Sequence, residues 1–161
     1  DLYWDKTFKE NQKIALRRQL QMARKYKLPV SIHTREAFDE IYEVVSDELS
    51  NDLTGIFHCF TGTFEQASMI VDTGFKLGIG GVVTFKNSGL DKVLKDVPLE
   101  HMVLETDAPF LTPVPFRGKR NQSSYVVYIA EKLAQIKEIR VEEVAEITTQ
   151  TAKDIFKLTN K

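Results

Sequence analysis

Cysteine occurs once in the 161 residues, at Cys59. No intramolecular disulfide and no thiolate zinc framework can form, and a reducing compartment is the expectation. Net charge is nearly absent as well: 22 Lys and Arg face 23 Asp and Glu, leaving −1. No global field therefore advertises a polyanion or an acidic membrane surface, and any nucleic-acid contact must come from a local cluster or a metal. No apolar run approaches the roughly 20 residues that span a bilayer. The opening DLYWDKTFKE lacks the basic and apolar blocks of a secretory leader. The expectation is a soluble, cytoplasmic protein with no membrane partner. Linkers rich in Pro, Gly or Ser are missing too, so residues 1–161 are read as a single domain. At 42% hydrophobic and 28% charged residues, the composition is globular and excludes wholesale disorder.

What is present is an alternation of strand and helix. Thr7-Phe8-Lys9-Glu10 fits a capping box. Leu16, Leu20 and Ala23 follow at helical spacing, and Pro29 stops the run. Residues 28–32, LPVSI, read as a buried strand with His33 directly after it. The helical period returns with Phe38, Ile41, Val45 and Leu49, and a second strand, TGIF, delivers His58. Thr63-Phe64-Glu65-Gln66 is another capping box, opening a helix through Ala67, Ile70 and Val71 that Gly74 closes. FKLGIGG is a third strand with glycines at its exit. A short helix at Leu90, Val93 and Leu94 precedes HMVLET, the fourth strand, which leads to Asp107. A Pro-rich loop and two helices, at Val127 to Ile136 and Val141 to Phe156, complete the chain. Short buried strands between amphipathic helices predict an α/β protein of parallel βα units.

Three of the four strands finish on side chains that bind metal: His33, His58 and Asp107. Parallel α/β folds gather ligands beyond the carboxyl ends of their strands, which places all three on one rim. One such histidine could be an ordinary satisfied polar group; three equivalent strand exits favour a site. Imidazoles and a carboxylate suit zinc, manganese or related divalent ions, and Asp107 could hold or deprotonate a water. His101 precedes its strand and is read as structural, and Cys59 as a small core residue, because adjacent strand side chains point to opposite faces. Gly78-Ile79-Gly80-Gly81 is read as a tight strand exit, since the remaining signs of a dinucleotide loop are out of register. Arg117, Lys119 and Arg120, with Asn121, form the one compact basic cluster, suited to phosphate capture.

Ile32-His33-Thr34-Arg35, His58-Cys59-Phe60-Thr61-Gly62, Glu105-Thr106-Asp107-Ala108-Pro109 and Arg117-Gly118-Lys119-Arg120-Asn121 resemble, in order and spacing, the successive motifs of the TatD family of metal-dependent deoxyribonucleases. Gln12 and Gln19-Leu20 in the first helix extend the likeness. The resemblance implies a TIM-type, amidohydrolase-like (β/α)8 barrel, a divalent-metal centre of two Mg, Mn or Zn ions, and hydrolysis of DNA phosphodiesters. It implies that His33 and His58 ligate one metal, that Asp107 ligates the other and orients the nucleophilic water, and that Glu105 supports this catalytic rim. It gives Arg35, Arg117 and Asn121, with Lys86 as a further candidate, to substrate phosphate or to loop positioning. The family's His-x-His strand and its bridging Glu have no counterpart, and Asp1 resembles the last residue of the family's Gly-Leu-Asp tripeptide. Gln122-Ser123-Ser124 stands where the family commonly has an acidic residue and a proline.

Four βα units cannot close a barrel that needs eight strands and about 250 residues. The chain is accordingly expected to be the carboxyl-terminal half of a longer enzyme, incomplete alone, and completed by a missing amino-terminal half or by self-association. Two rival readings stand beside the nuclease. One is a metal-dependent esterase or amidase such as an aminoacyl-tRNA deacylase, since activated water attacks carbonyl and phosphoryl centres alike. The other is a non-catalytic half-barrel module.

Overall fold

The computed structural model describes residues 1–158. Four short strands, β1 (Val30–His33), β2 (Gly55–His58), β3 (Lys76–Ile79) and β4 (Met102–Leu104), form one parallel sheet in chain order. Helices α1 (Lys9–Tyr26), α2 (Phe38–Asp47), α3 (Phe64–Asp72) and α4 (Leu90–Lys95) alternate with the strands, and α5 (Val126–Lys137) and α6 (Val141–Phe156) follow them. The α/β class with parallel strands is as read from the sequence.

Strand alternation sorts the side chains onto two faces. Ile32, Phe57, Leu77 and Met102 are successive register partners, and all four are buried in the main core together with Ile129 and Leu133 of α5. The opposite face carries Ser31, Ile56, Gly78 and Val103, and then His33 and His58 toward the carboxyl ends. There, Ile155 of α6 packs on Ile56 and Val103 in a small second cluster. Apolar residues on one face thus hold the sheet against its helices and leave the other face free to carry polar groups at its rim.

Helix boundaries follow local hydrogen bonding. The capping box at α3 forms as read: the Thr63 hydroxyl accepts from the Gln66 amide, and the Gln66 side chain accepts from the Thr63 amide. The one read at Thr7 does not form. Asp5 accepts from the Thr7 amide at 2.7 Å, and α1 starts at Lys9 behind a Phe8 whose backbone is not extended. An aspartate two residues upstream offers the Thr7 backbone a competing turn. The α1 helix ends on a left-handed Lys27 (φ 52°), whose amide bonds back to Ala23 and Arg24, so Pro29 follows the stop rather than making it. Leu49 lies beyond α2, 41% exposed.

These caps make a paired test. Thr63→Ala should lower the unfolding free energy by about 1 kcal/mol, whereas Thr7→Ala should leave it unchanged. Urea titration followed by circular dichroism measures both.

Candidate functional site

Parallel pairing of β1 with β2 places His33 directly opposite His58. Their ring centroids are 6.4 Å apart and the planes are tilted by 33°. His58 is clasped on both nitrogens: Nδ1 lies 2.9 Å from Glu105 Oε2, and Nε2 lies 2.9 Å from Asp107 Oδ1. The Cys59 amide also donates to the Glu105 carboxylate. His33 Nε2 meets Asp1 Oδ2 at 2.8 Å, and the Leu2 amide donates to the Arg35 carbonyl, tying the first residues to the exit of β1. Asp107 Oδ2 is buried and has no hydrogen-bond partner among the described residues.

The clasp crosses over β3, and Gly78 there makes room for it. A Cβ on Gly78 would stand 2.5 Å from Glu105 Oε1; one on Gly80 would stand 3.5 Å from Asp107 Oδ2. The chain leaves β3 through the turn Gly81–Thr84, the tight exit read from the sequence, while close approach to the Glu105 side chain and to the Leu111 carbonyl explains Gly78 and Gly81.

Burial works against a charged His58, but the hydrogen bonds and charges of Glu105 and Asp107 outweigh it and raise its pKa. Burial also raises Glu105, with His58 and the Cys59 amide pulling the other way. His33 is lowered, first by burial and then by nearby positive groups that include Arg35. Cys59 is not a core residue. Its left-handed backbone (φ 49°) breaks the strand alternation after His58 and leaves its side chain near Asp107 and Gly80. Burial and the two carboxylates push its thiol up to about 12, which keeps it protonated.

The other sequence candidates spread along the same rim. The Arg35 guanidinium lies 3.6 Å from the Tyr3 ring centroid, and Arg117 lies 3.7 Å from that of Phe85 while donating to the Thr112 carbonyl. Lys86 is exposed just beyond the turn Gly81–Thr84. Asn121 departs from a substrate-contacting role: it is buried, its amide nitrogen donates to the Phe110 carbonyl at 2.6 Å, and its oxygen accepts from Gln122. With both ends of the amide engaged, it fastens the loop that follows Asp107. His101 lies at the opposite, amino end of β4, with Nδ1 3.1 Å from Lys76 Nζ.

The family model described as TatD related DNase matches residues 1–157. The chain belongs to the TatD family. It is 45% identical over 98% of its length to the uncharacterized metal-dependent hydrolase YabD of Bacillus subtilis, covering 62% of that protein. It is 37% identical over 97% of its length to the uncharacterized metal-dependent hydrolase YcfH of Escherichia coli K12, covering 59%. The crystal structure of YJJV, a TatD homolog from E. coli K12, superposes with a TM-score of 0.92 at 28% identity, over 99% of this chain and 61% of that one. The chain thus spans about three fifths of the length of the curated relatives it matches.

In this TatD chain the donors are paired with one another. Among the described residues, no three His, Cys, Asp or Glu side chains form a ready-made group of metal ligands. The chemistry nonetheless fits a divalent cation. Two imidazoles and the carboxylates of Asp1, Glu105 and Asp107 are nitrogen and oxygen donors suited to such ions. The partnerless Asp107 Oδ2 bears a desolvation cost that a cation would relieve. Sequence reasoning missed Asp1 as a partner of His33 and the clearance at Gly78. Period-two alternation from Glu105 through Val103 to Gly78 was the available signal for the latter.

Two carboxylates hold His58 and one holds His33, so NMR titration of the metal-free imidazoles should show His58 protonating at the higher pH. Gly78→Ala should push Glu105 aside and lower the His58 pKa toward its ordinary value.

Proposed function

We propose that the protein is a metal-dependent hydrolase that cleaves DNA phosphodiester bonds, and that this chain is the carboxyl-terminal half of a (β/α)8 barrel. The observation that carries the reaction is the buried, partnerless Asp107 Oδ2 beside the clasped His58, with guanidinium groups on the surrounding loops. The barrel reading is supported by the sheet, in which β1 and β4 each have one neighbour, and by a groove of about 560 Å³ along β1, lined by Leu16, Leu20, Val30, Ile32 and Ile41. Closure removes such edges. The relatives are longer than this chain and carry metal-dependent hydrolase in their names, and the family description names a DNase.

His33, His58 and Asp107 would hold the ions, with Asp1 and Glu105 beside them. A bound divalent cation supplies Lewis acidity for a phosphoryl oxygen and makes water acidic enough to act as a nucleophile near neutral pH. Holding an ion would release His58 Nε2 from Asp107 Oδ1, and the Asp107 carboxylate, one of whose oxygens already has no partner, would orient the attacking water and accept its proton. Glu105 fixes the His58 ring through Nδ1, as a carboxylate beside a ligating histidine does. Arg35 and Arg117, with Lys86, offer donors to the phosphate, and Asn121 keeps the loop beyond Asp107 in place. These cations suit a phosphate-bearing nucleic acid, and the family description, which names a DNase, favours a phosphodiester over an aminoacyl ester.

In the protein that carries this chain, EDTA should abolish DNA hydrolysis, and Mn²⁺ or Mg²⁺ should restore it. Asp107→Asn should lower the rate about a hundred-fold or more with the melting temperature little changed. Parallel assays on aminoacyl-tRNA should show no comparable turnover; ester cleavage without DNA cleavage would overturn the nuclease reading.

A further inference from the structure

The loop that follows Asp107 is docked on the turn that leaves β3. Thr84, the last residue of that turn, uses its hydroxyl twice: it donates to the Gly81 carbonyl at 2.7 Å, which closes the turn, and accepts from the Val114 amide at 3.0 Å, which holds the loop. The two backbones approach so closely that a Cβ on Gly81 would collide with the Leu111 carbonyl oxygen. At the next position the Phe85 ring lies against the Arg117 guanidinium, 3.7 Å from centroid to Cζ, and Arg117 Nη1 donates to the Thr112 carbonyl at 3.0 Å. Val83, in the same turn, is buried in the main core, so the loop rests on a fixed footing. The turn also begins beside the site, since a Cβ on Gly80 would stand 3.5 Å from Asp107 Oδ2. All of these contacts join two successive βα units of this chain.

An arginine side chain has large rotamer freedom, and its planar fork meets an anion best when it is already aimed. Here one face of the Arg117 guanidinium is taken by a ring and one N–H by a carbonyl, which leaves the other donors free along its edges. Among the described residues no acidic side chain pairs with Arg117. A guanidinium that is braced by a ring and lacks an acidic partner keeps its charge for an anion from outside the chain. Resting on the phosphodiester reading above, we propose that Thr84 and Phe85 are positioning residues for that reaction. Thr84 sets the course of the loop after Asp107, and Phe85 aims the Arg117 guanidinium at the substrate phosphate before the substrate arrives. Both act through Arg117 and neither needs to touch the DNA.

Two variants of the protein that carries this chain isolate the effect. Phe85→Leu removes the ring and keeps an apolar filler; Thr84→Val removes the hydroxyl and keeps the shape. Each is measured for hydrolysis of a DNA oligonucleotide with Mn²⁺, and for binding of the same oligonucleotide in EDTA over a range of salt concentrations. Phe85→Leu should raise KM about five-fold with kcat little changed, and should lower the slope of log affinity against log salt by about one phosphate contact. Thr84→Val should shift both in the same direction, while Phe85→Tyr and Thr84→Ser should keep the parent values. In an Arg117→Met background Phe85→Leu should have no further effect, because the ring acts only through the guanidinium. Without any DNA, nitrogen relaxation of the Arg117 Nε–H should report a more mobile guanidinium in Phe85→Leu at an unchanged melting temperature. Additive effects of Phe85→Leu and Arg117→Met, parental KM and salt slope in Phe85→Leu, or an equally ordered Arg117 in that variant would overturn the proposal. DNA cleavage accompanied by any of these results sinks the positioning role alone. Binding in EDTA that depends on Phe85 through Arg117, without cleavage, sinks the nuclease reading alone, and a protein that neither binds nor cleaves DNA sinks both.

Discussion

The arrangement of the site depends on one clasp. Glu105 and Asp107, beyond the end of β4, reach back to the two nitrogens of His58 at the end of β2. Two strand spacings, about 10 Å, separate those strands, and β3 lies between them. The bridge exists because Gly78 presents no side chain to the face on which it runs. That constraint fixes the orientation of His58, and commits one Asp107 oxygen while leaving the other without a partner. The charges of Glu105 and Asp107 also favour the protonated form of His58. His33 joins the group through strand register and is held by a separate carboxylate, Asp1.

The near-zero net charge hides a local order. Negative groups converge at the carboxyl ends of the strands, and the guanidinium groups stand on the loops around them, each lying on an aromatic ring. Such stacking orients a guanidinium fork while leaving its edge donors for an anion. The loop after Asp107 is tied by buried Asn121 and by Thr112, whose hydroxyl donates to the Lys119 carbonyl. Its backbone is thereby set, while Phe110 and Arg117 remain outward. A second set of charges has a different use: Lys9, Lys13 and Arg17 of α1 pair with Glu40, Glu43 and Asp47 of α2. These partly exposed pairs align two surface helices and contribute little stability each.

Much of this was legible in the sequence, for reasons that can be named. Alternating short apolar segments and helical periods located all four strands and the helices between them, because burial on a parallel sheet demands that pattern. His33 and His58 at strand ends followed from it, as did the position of His101 at the amino end of β4. The failures share a cause as well. Thr7 has the spacing of a capping residue, but Asp5 takes its amide. Cys59 obeys the alternation rule on paper, but the chain turns left-handed there. In each instance a local rule was overridden by a neighbour that supplied a competing hydrogen bond or backbone turn.

Sequence alone determined the α/β class, the order of elements and the place of His33 and His58 at strand ends, because period-two and helical patterns are written residue by residue. Which side chains clasp one another, which remain exposed on the loops, and which glycine the clasp requires were decided only by tertiary structure. Those properties depend on distances between residues far apart in the chain: 49 positions separate His58 from Asp107, and 32 separate Asp1 from His33. No local pattern encodes such separations. They arise when strand register and sheet order bring the ends of successive βα units to one rim.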